Sequence, residues 1–193
     1  MRGGVQVRPD IIVMGTSAGG LRALETILAG LPRGFPIPIV AVQHRSRQSS
    51  DAYADVLGRG TPLPVREIVD DDPLRGPGVY LAPPDYHVLI EPGRIVLSVD
   101  DPVSYSRPSI DVLFESAADV YGAGVLAVLL TGANADGAKG LVRVKQAGGY
   151  AVVQDPHTAD SPEMPAAGIA QAPVDRVLPL EEIAGELVRR VTS

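Results

Sequence analysis

Short apolar runs alternate along the chain with segments in which apolar residues recur every three or four positions. The runs lie in "DIIVMG", "IPIVAVQH", "GVLAVLLTG" and "YAVVQ", and they predict strands that are buried on both faces. The segment "GGLRALETILAGLP" follows the first run and predicts a helix that ends at Pro32. Its apolar positions have helical spacing: Leu21, Leu24, Ile27, Leu28 and Leu31.

The other segments extend this alternation. Further helices are predicted for "SSDAYADVLGRGT" (with Ser50 or Asp51 near its cap), "SIDVLFESAADVYG", "DGAKGLVRVKQAGG", "EMPAAGIAQ" and "LEEIAGELVRRV", and a short strand for "PVREIV". From Gly78 to Val99, "GVYLAP" and "HVLIEPGRIVLSV" with a Pro92–Gly93 turn predict a β-hairpin. The sequence therefore predicts an α/β fold: a doubly wound, mostly parallel sheet with an antiparallel β-hairpin and helices on both faces.

Composition narrows the class of protein. The 193 residues carry no division or linker, so we expect a single domain over residues 1–193. The absence of cysteine excludes disulfides, a thiolate nucleophile and thiolate metal sites. A net charge of −6, from 17 basic and 23 acidic residues, argues against nucleic acid as a partner. Without a signal peptide or a membrane-length apolar run, we expect a cytoplasmic protein that does not insert into membranes.

Ser17 is the first candidate for chemistry, because it lies where the first predicted strand turns into a helix. The pattern Gly15-x-Ser17-x-Gly19 matches the nucleophile elbow G-x-S-x-G, and ligands bind at this edge of a parallel sheet. A phosphate loop is disfavoured because no Gly-Lys-Ser/Thr follows, and the glycine spacing fits a dinucleotide loop poorly. A plain helix-capping serine is an equally good interpretation of this motif alone.

Two further residues lie at predicted strand ends. His44 ends the second strand, where a neutral imidazole can remove a serine proton. Asp136 follows the most apolar strand, where a carboxylate can orient that histidine, although it can also simply cap the next helix. Three complementary side chains on three strand ends favour a catalytic triad. The order Ser17, His44, Asp136 differs from that of α/β-hydrolases.

We expect no metal and no cofactor. His87 and His157 have no ligand-like spacing, and no H-E-x-x-H motif is present in the sequence. The acidic run Asp70–Asp72 is interpreted as a solvated loop.

With these residues in place, the chain resembles the catalytic domain of CheB-type protein-glutamate methylesterases. The resemblance covers nearly the whole sequence through "GTSAGG", "VAVQH", "VYLAPPDYHVLI", "SRPSIDVLFESAA", "LLTGANADGAKGL" and "QDPHTADSPEMPAAGIA". It implies a triad of Ser17, His44 and Asp136, with oxyanion donors from the backbone amides of Ala18 and Ala133. It also implies hydrolysis of γ-glutamyl methyl esters on methyl-accepting chemotaxis receptors, and deamidation of particular receptor glutamines.

The chain departs from the family pattern in two ways. The family loop T-G-M-G-x-D-G reads "TGANADG" here, with Ala133 and Asn134 in place of methionine and glycine. We expect Asn134 to keep the turn through its tolerance of positive φ, and the lost methionine to widen the pocket or alter substrate choice. The first strand begins about ten residues in, so we expect a stand-alone domain without the receiver domain of the best-known members.

Other functions stay open at this point. One is a serine esterase or amidase that acts on another carboxyl ester, and another is a non-catalytic binding module on the same fold. Nothing in the sequence demands a dimer, so we expect a monomer. Arg22, Arg45 and Arg47 lie near the predicted site and can steer the enzyme toward acidic receptor helices, or can be ordinary surface charges.

Overall fold

A parallel sheet forms the centre of the protein in a computed structural model that describes residues 7–45 and 52–192. The strands of this part of the chain are β1 (Ile11–Thr16), β2 (Pro38–Gln43), β3 (Val65–Glu67), β4 (Asp72–Pro73), β5 (Gly78–Leu81), β6 (His87–Glu91), β7 (Arg94–Ser98), β8 (Val125–Leu129), β9 (Tyr150–Gln154) and β10 (Arg176–Leu178). The helices are α1 (Gly20–Ala29), α2 (Tyr53–Gly60), α3 (Ile110–Tyr121), α4 (Ala138–Gln146), α5 (Glu163–Gln171) and α6 (Leu180–Thr192). Among the described residues, no helix is long and apolar enough to cross a membrane.

The order of the main sheet places its switch point at β1. Within the described residues the sheet has seven parallel strands in the order β10-β9-β8-β1-β2-β5-β3. The chain moves from β1 toward β2 on one side and returns through β8 on the other. Ligands of open α/β sheets bind outside the carboxyl ends of the strands at such a point. The carboxyl ends of β8, β1 and β2 are therefore the expected site.

Each strand of the sheet centre buries both of its faces. Along β1, Ile11 and Val13 pack with α3, α4 and α5, whereas Ile12 and Met14 pack with α1, α2 and α6. All of these β1 side chains are fully buried, which explains why the strands appear as continuous apolar runs. The predicted doubly wound fold with helices on both faces is confirmed.

The predicted hairpin is present as β6 and β7, with Gly93 at φ 78° in the turn. It belongs to a second, antiparallel sheet of order β4-β7-β6. The segment "GVYLAP", which was grouped with the hairpin, instead supplies β5 to the parallel sheet between β2 and β3. Its fully buried pattern fits a central parallel strand, whereas the hairpin strands are only partly buried. The short strands β4 and β10 were not predicted, because neither contains an apolar run that stands out from the surrounding loop.

The acidic run is not simply a solvated loop. Asp72 is buried within β4, and its carboxylate binds both terminal nitrogens of Arg66. The hydrogen bond from Arg66 holds the pKa of Asp72 below its usual range, against the effect of burial. Asp70 accepts a hydrogen bond from the amide of Leu97 at 3.0 Å. Asp71 pairs with Arg94 of β7 at 2.8 Å. All three acidic residues therefore tie β3 and its following loop to the antiparallel sheet.

Candidate active site

The three candidate side chains lie at the carboxyl ends of neighbouring strands. Ser17 follows β1, His44 follows β2, and Asp136 lies in the loop between β8 and α4. The structure joins two of them directly, because His44 Nε2 lies 2.8 Å from Asp136 Oδ2. The third residue, Ser17, is positioned through its backbone, because its amide donates a hydrogen bond to the carbonyl of Thr131 in the loop after β8.

Asp136 is held by the amino end of α3. Its carboxylate accepts hydrogen bonds from the hydroxyl of Ser109 at 2.8 Å, the amide of Ile110 at 2.7 Å and the amide of Asp111 at 3.0 Å. The first amides of a helix are otherwise unpaired and carry the positive end of its dipole. Asp136 therefore caps α3, whereas its own following helix α4 has Gly137 as cap. The interpretation that Asp136 simply caps the next helix is wrong.

These contacts stabilise the charged form of Asp136. Burial raises the pKa of this carboxyl, but hydrogen bonds from His44 and from the Ile110 and Asp111 amides outweigh burial and hold the pKa below its usual range. An ionised carboxylate only accepts hydrogen bonds, so His44 must donate through Nε2. In the neutral ring, Nδ1 is then the acceptor that can take a proton.

Ser17 is not a helix cap. The cap of α1 is Gly19, whose backbone is left-handed at φ 79°, and no side chain caps this helix. The Ser17 side chain is half-buried, and among the described residues its hydroxyl makes no hydrogen bond, including to His44. Catalytic hydrogen bonds are often formed only when substrate closes the site. The hydroxyl is thus held beside the histidine loop with no structural partner to occupy it.

Two backbone amides remain open beside Ser17. Within the described chain, the N–H groups of Ala18 and Ala133 have no hydrogen-bond acceptor, and both residues are exposed. Gly132 permits the close approach of their two loops, because a Cβ at this position would lie 3.0 Å from Ser17 Cβ and 2.5 Å from Met164 Cε. Unpaired backbone amides on exposed residues beside a nucleophile are suited to bind an oxyanion.

The expectation that Asn134 keeps the turn through a positive φ is wrong. Asn134 is not among the residues with positive φ. Its side-chain oxygen instead accepts a hydrogen bond from the amide of Asp136 at 3.1 Å. This local bond is typical of an asparagine turn, and it orders the segment directly before the carboxylate.

Sequence reasoning missed two residues that tie these loops together. Gln43 donates from Nε2 to the carbonyls of Ser17 at 2.7 Å and His44 at 3.0 Å. Thr131 donates from its hydroxyl to the carbonyl of Ala18 at 2.8 Å. The sequence contained a sign of both roles, because each is a polar residue directly after an apolar strand run, and both prove to be buried.

The remaining histidines have other roles. His87 is buried, accepts from the amide of Ser109 at 3.2 Å and contacts the carbonyl of Asp101, so it supports the start of α3. His157 is exposed and pairs with Asp155. Among the described residues, no group of three or more His, Cys, Asp or Glu side chains is placed to hold a metal ion.

The arginines that were considered for steering differ in how far their side chains are exposed to solvent. The side chain of Arg45 is buried, with 5% of it exposed, and it binds Glu67 and the carbonyl of Ala82 while it stacks on Tyr53. The steering role is therefore wrong for Arg45, which is a structural residue. Arg22 is exposed and reaches Asp160 only at 3.5 Å. Arg47 lies outside the described residues, as do Ser50 and Asp51.

Comparison with known proteins gives consistent matches. A family model described as CheB methylesterase matches residues 12–187. A Leptospira interrogans protein, provisionally named a protein-glutamate methylesterase/protein-glutamine glutaminase, is 46% identical over 181 residues, which are 93% of this chain and 94% of that protein. The protein-glutamate methylesterase/protein-glutamine glutaminase 1 of Rhodospirillum rubrum is 38% identical over 98% of this chain, but only 50% of that protein is covered.

A solved structure is also similar. The crystal structure of the Thermotoga maritima CheB methylesterase catalytic domain superposes with a TM-score of 0.89 at 35% identity, and the match covers 95% of this chain and 99% of that one. The chain thus spans nearly the whole Leptospira relative and the Thermotoga domain, but about half of the Rhodospirillum protein.

Proposed function

The chain belongs to the CheB methylesterase family, and from this premise we propose that it hydrolyses γ-glutamyl methyl esters of a protein, with Ser17 as nucleophile. The observation that carries the assignment of residues is the 2.8 Å contact between His44 Nε2 and the buried carboxylate of Asp136. This contact leaves one nitrogen of His44 available as a base at the turn that presents Ser17.

Acylation begins with attack of Ser17 Oγ on the ester carbonyl. His44 Nδ1 takes the hydroxyl proton, and the anion of Asp136 stabilises the positive charge that forms on the ring. The amides of Ala18 and Ala133 donate to the oxyanion of the tetrahedral intermediate. Loss of one such donor typically costs about 10²–10³-fold in rate. The intermediate collapses as His44 returns the proton to the methoxy oxygen, which leaves as methanol.

Deacylation repeats these steps with water. His44 removes a proton from the water that attacks the Ser17 ester, and it returns that proton to Ser17 Oγ as the glutamate carboxylate forms. Glutamine deamidation needs the same groups, because only the leaving group changes from methanol to ammonia. Several relatives carry both activities in their names, so we propose that this chain shares the second activity.

The proposed substrate is the cytoplasmic, helical part of a methyl-accepting chemotaxis receptor, and the proposed place of action is the cytoplasm. Open clefts of about 380 Å³ beside Ser17 and about 250 Å³ beside His44 can admit a side chain that is presented on a protein surface. The proposed working form is a monomer, because the three candidate catalytic residues come from one chain.

The test is incubation with a fully methylated receptor cytoplasmic fragment, followed by the mass of each glutamyl site. We expect the loss of one methylene mass per site with the wild type and no loss with Ser17→Ala. A known methylesterase run on the same fragment shows that the fragment is competent as a substrate.

Other outcomes would favour the alternatives. If the fragment stays methylated while small carboxyl esters are hydrolysed in a Ser17-dependent reaction, the protein is an esterase or amidase of other specificity. If Ser17 also fails to react with an organophosphonate probe at neutral pH, the chain is a binding module that has kept the fold.

A further inference from the structure

A two-residue turn at the rim of the candidate site has an unusual backbone. Val103 and Ser106 exchange backbone hydrogen bonds of 3.1 and 2.9 Å, and the two central residues, Ser104 and Tyr105, have φ values of 51° and 63°. Positive φ at both central positions is typical of type I′ turns, which strongly prefer asparagine and glycine. Here a serine and a tyrosine hold this conformation, which is strained for residues with a Cβ.

The side chain at the tip of this turn contributes nothing to the core. Tyr105 is fully exposed, and within the described residues its hydroxyl makes no hydrogen bond. The tyrosines Tyr53 and Tyr80, by contrast, are at least partly buried and bind neighbouring groups through their hydroxyls. Folding therefore does not explain why an aromatic ring is held at this position.

Several hydrogen bonds hold the base of the turn. Arg107 donates from Nε and Nη2 to Asp85, and from Nη1 to the carbonyls of Val99 at 2.7 Å and Asp100 at 3.0 Å. Asp85 is itself left-handed at φ 67°. Three of the four non-glycine residues with positive φ in the described chain thus belong to this turn or its support. Strained backbone that the surroundings hold in place concentrates at functional sites.

The ring lies beside the opening to the catalytic base. One cleft of about 250 Å³ is lined by His44, Arg45 and the segment from Tyr105 to Pro108. A scissile carbonyl must lie between Ser17 and His44, and a glutamyl side chain is too short to keep its own backbone away from this rim. The protein segment that carries the ester therefore comes within reach of Tyr105, which lines the same cleft as His44.

We propose that Tyr105 is a specificity-determining residue that packs its ring against the helix carrying the γ-glutamyl methyl ester. This inference rests on the proposed function. Exposed aromatic rings on rigid supports are favoured contacts in protein recognition, because they bury much area at little cost in conformational entropy. A small ester lacks the helix, so its hydrolysis does not use Tyr105.

The test compares two substrates with two variants. Tyr105→Asn removes the ring and keeps a residue that tolerates the left-handed backbone, and Tyr105→Phe is the matched control that keeps the ring. The substrates are the methylated receptor fragment and the γ-methyl ester of N-acetylglutamate. For Tyr105→Asn we expect kcat/KM to fall roughly tenfold on the fragment, through KM, with no change on the small ester. Tyr105→Phe should match the wild type on both.

Every other pattern overturns the inference. Wild-type kinetics of Tyr105→Asn on both substrates would show that the ring contacts no substrate, and equal losses on both would show a structural role. A changed oligomeric state with unchanged kinetics would assign the ring to contact with a second copy. If the wild type itself hydrolyses only the small ester, the proposed function fails and this inference fails with it.

Discussion

Replacement of Asp111 by asparagine should stabilise the protein, and the gain should grow with pH. Asp111 lies in the first turn of α3 and is 3% exposed. Its Oδ1 accepts a hydrogen bond from the amide of Gly140 in α4 at 2.8 Å, while Asp136, before α4, accepts the first amides of α3. Asp111 in α3 thus caps α4, and Asp136, in the loop before α4, caps α3.

This reciprocal capping places the buried carboxylates of Asp111 and Asp136 close together. Asp111 is the one of the two that resists ionisation. Burial raises the pKa of Asp111 to about 6, the amide of Gly140 opposes this, and the charges of Asp136 and Glu115 add to it. A raised carboxyl pKa contributes stability that is present below the unfolded pKa of 3.8 and is lost as pH rises through about 6. At 1.36 kcal/mol per pH unit, the upper bound on this loss is about 3 kcal/mol. Relaxation of the structure around the buried carboxylate reduces the expected loss to about 1–2 kcal/mol.

Asparagine keeps an oxygen for the amide of Gly140 but carries no charge. We therefore expect the unfolding free energy of Asp111→Asn, minus that of the wild type, to rise by about 1 kcal/mol between about pH 5 and about pH 8. Urea unfolding at several pH values measures this difference. Asp136 adds no pH dependence over this range, because its pKa is held below its usual value. The control is Asp119→Asn on the same helix, where an exposed pair with Arg143 should contribute little at any pH. A pH-independent difference, or a less stable variant at about pH 8, would refute the reasoning.

Three further substitutions test the site. Asp136→Asn should lower single-turnover hydrolysis roughly 10⁴-fold, because His44 loses its anionic partner, and full activity would exclude the proposed role. Gln43→Ala should cost about 1–3 kcal/mol of stability in urea unfolding, because the carbonyls of Ser17 and His44 lose their donor; unchanged stability would contradict this. Arg45→Ala should also lower stability by about 1–3 kcal/mol, without the salt-dependent change in association rate that a steering charge would show in stopped-flow measurements.

The fold was predicted correctly where burial produces a recognisable hydrophobic pattern in the sequence. The strands β1, β2, β8 and β9 each contain a continuous apolar run because helices cover both of their faces. The turn at Pro92–Gly93 marked the hairpin for a similarly local reason. The same logic failed for β5, because an apolar strand next to a hairpin does not reveal which neighbour it pairs with.

Site prediction reached the candidate residues but not their environment. Strand ends placed Ser17, His44 and Asp136 at one edge of the sheet, and their catalytic roles remain a prediction. The partners of Asp136 could not be predicted, because Ser109, Ile110 and Asp111 are more than 20 residues away in sequence. Arg45 was misjudged for the same reason, since its partners Glu67 and Ala82 reach it only through the fold.

The sequence by itself determined the layered α/β architecture, the family and the residues that can act at the carboxyl edge of the sheet. Hydrophobic periodicity and strand-end position are local properties, so they can be recognised without coordinates. Only the tertiary structure decided that α3 holds Asp136 as an anion, that Arg45 is structural, and that Tyr105 stands exposed on a hydrogen-bonded turn. The first two depend on which groups, distant in sequence, come within hydrogen-bonding distance, and the third depends on which side chains no other residue covers. Sequence spacing does not contain that information.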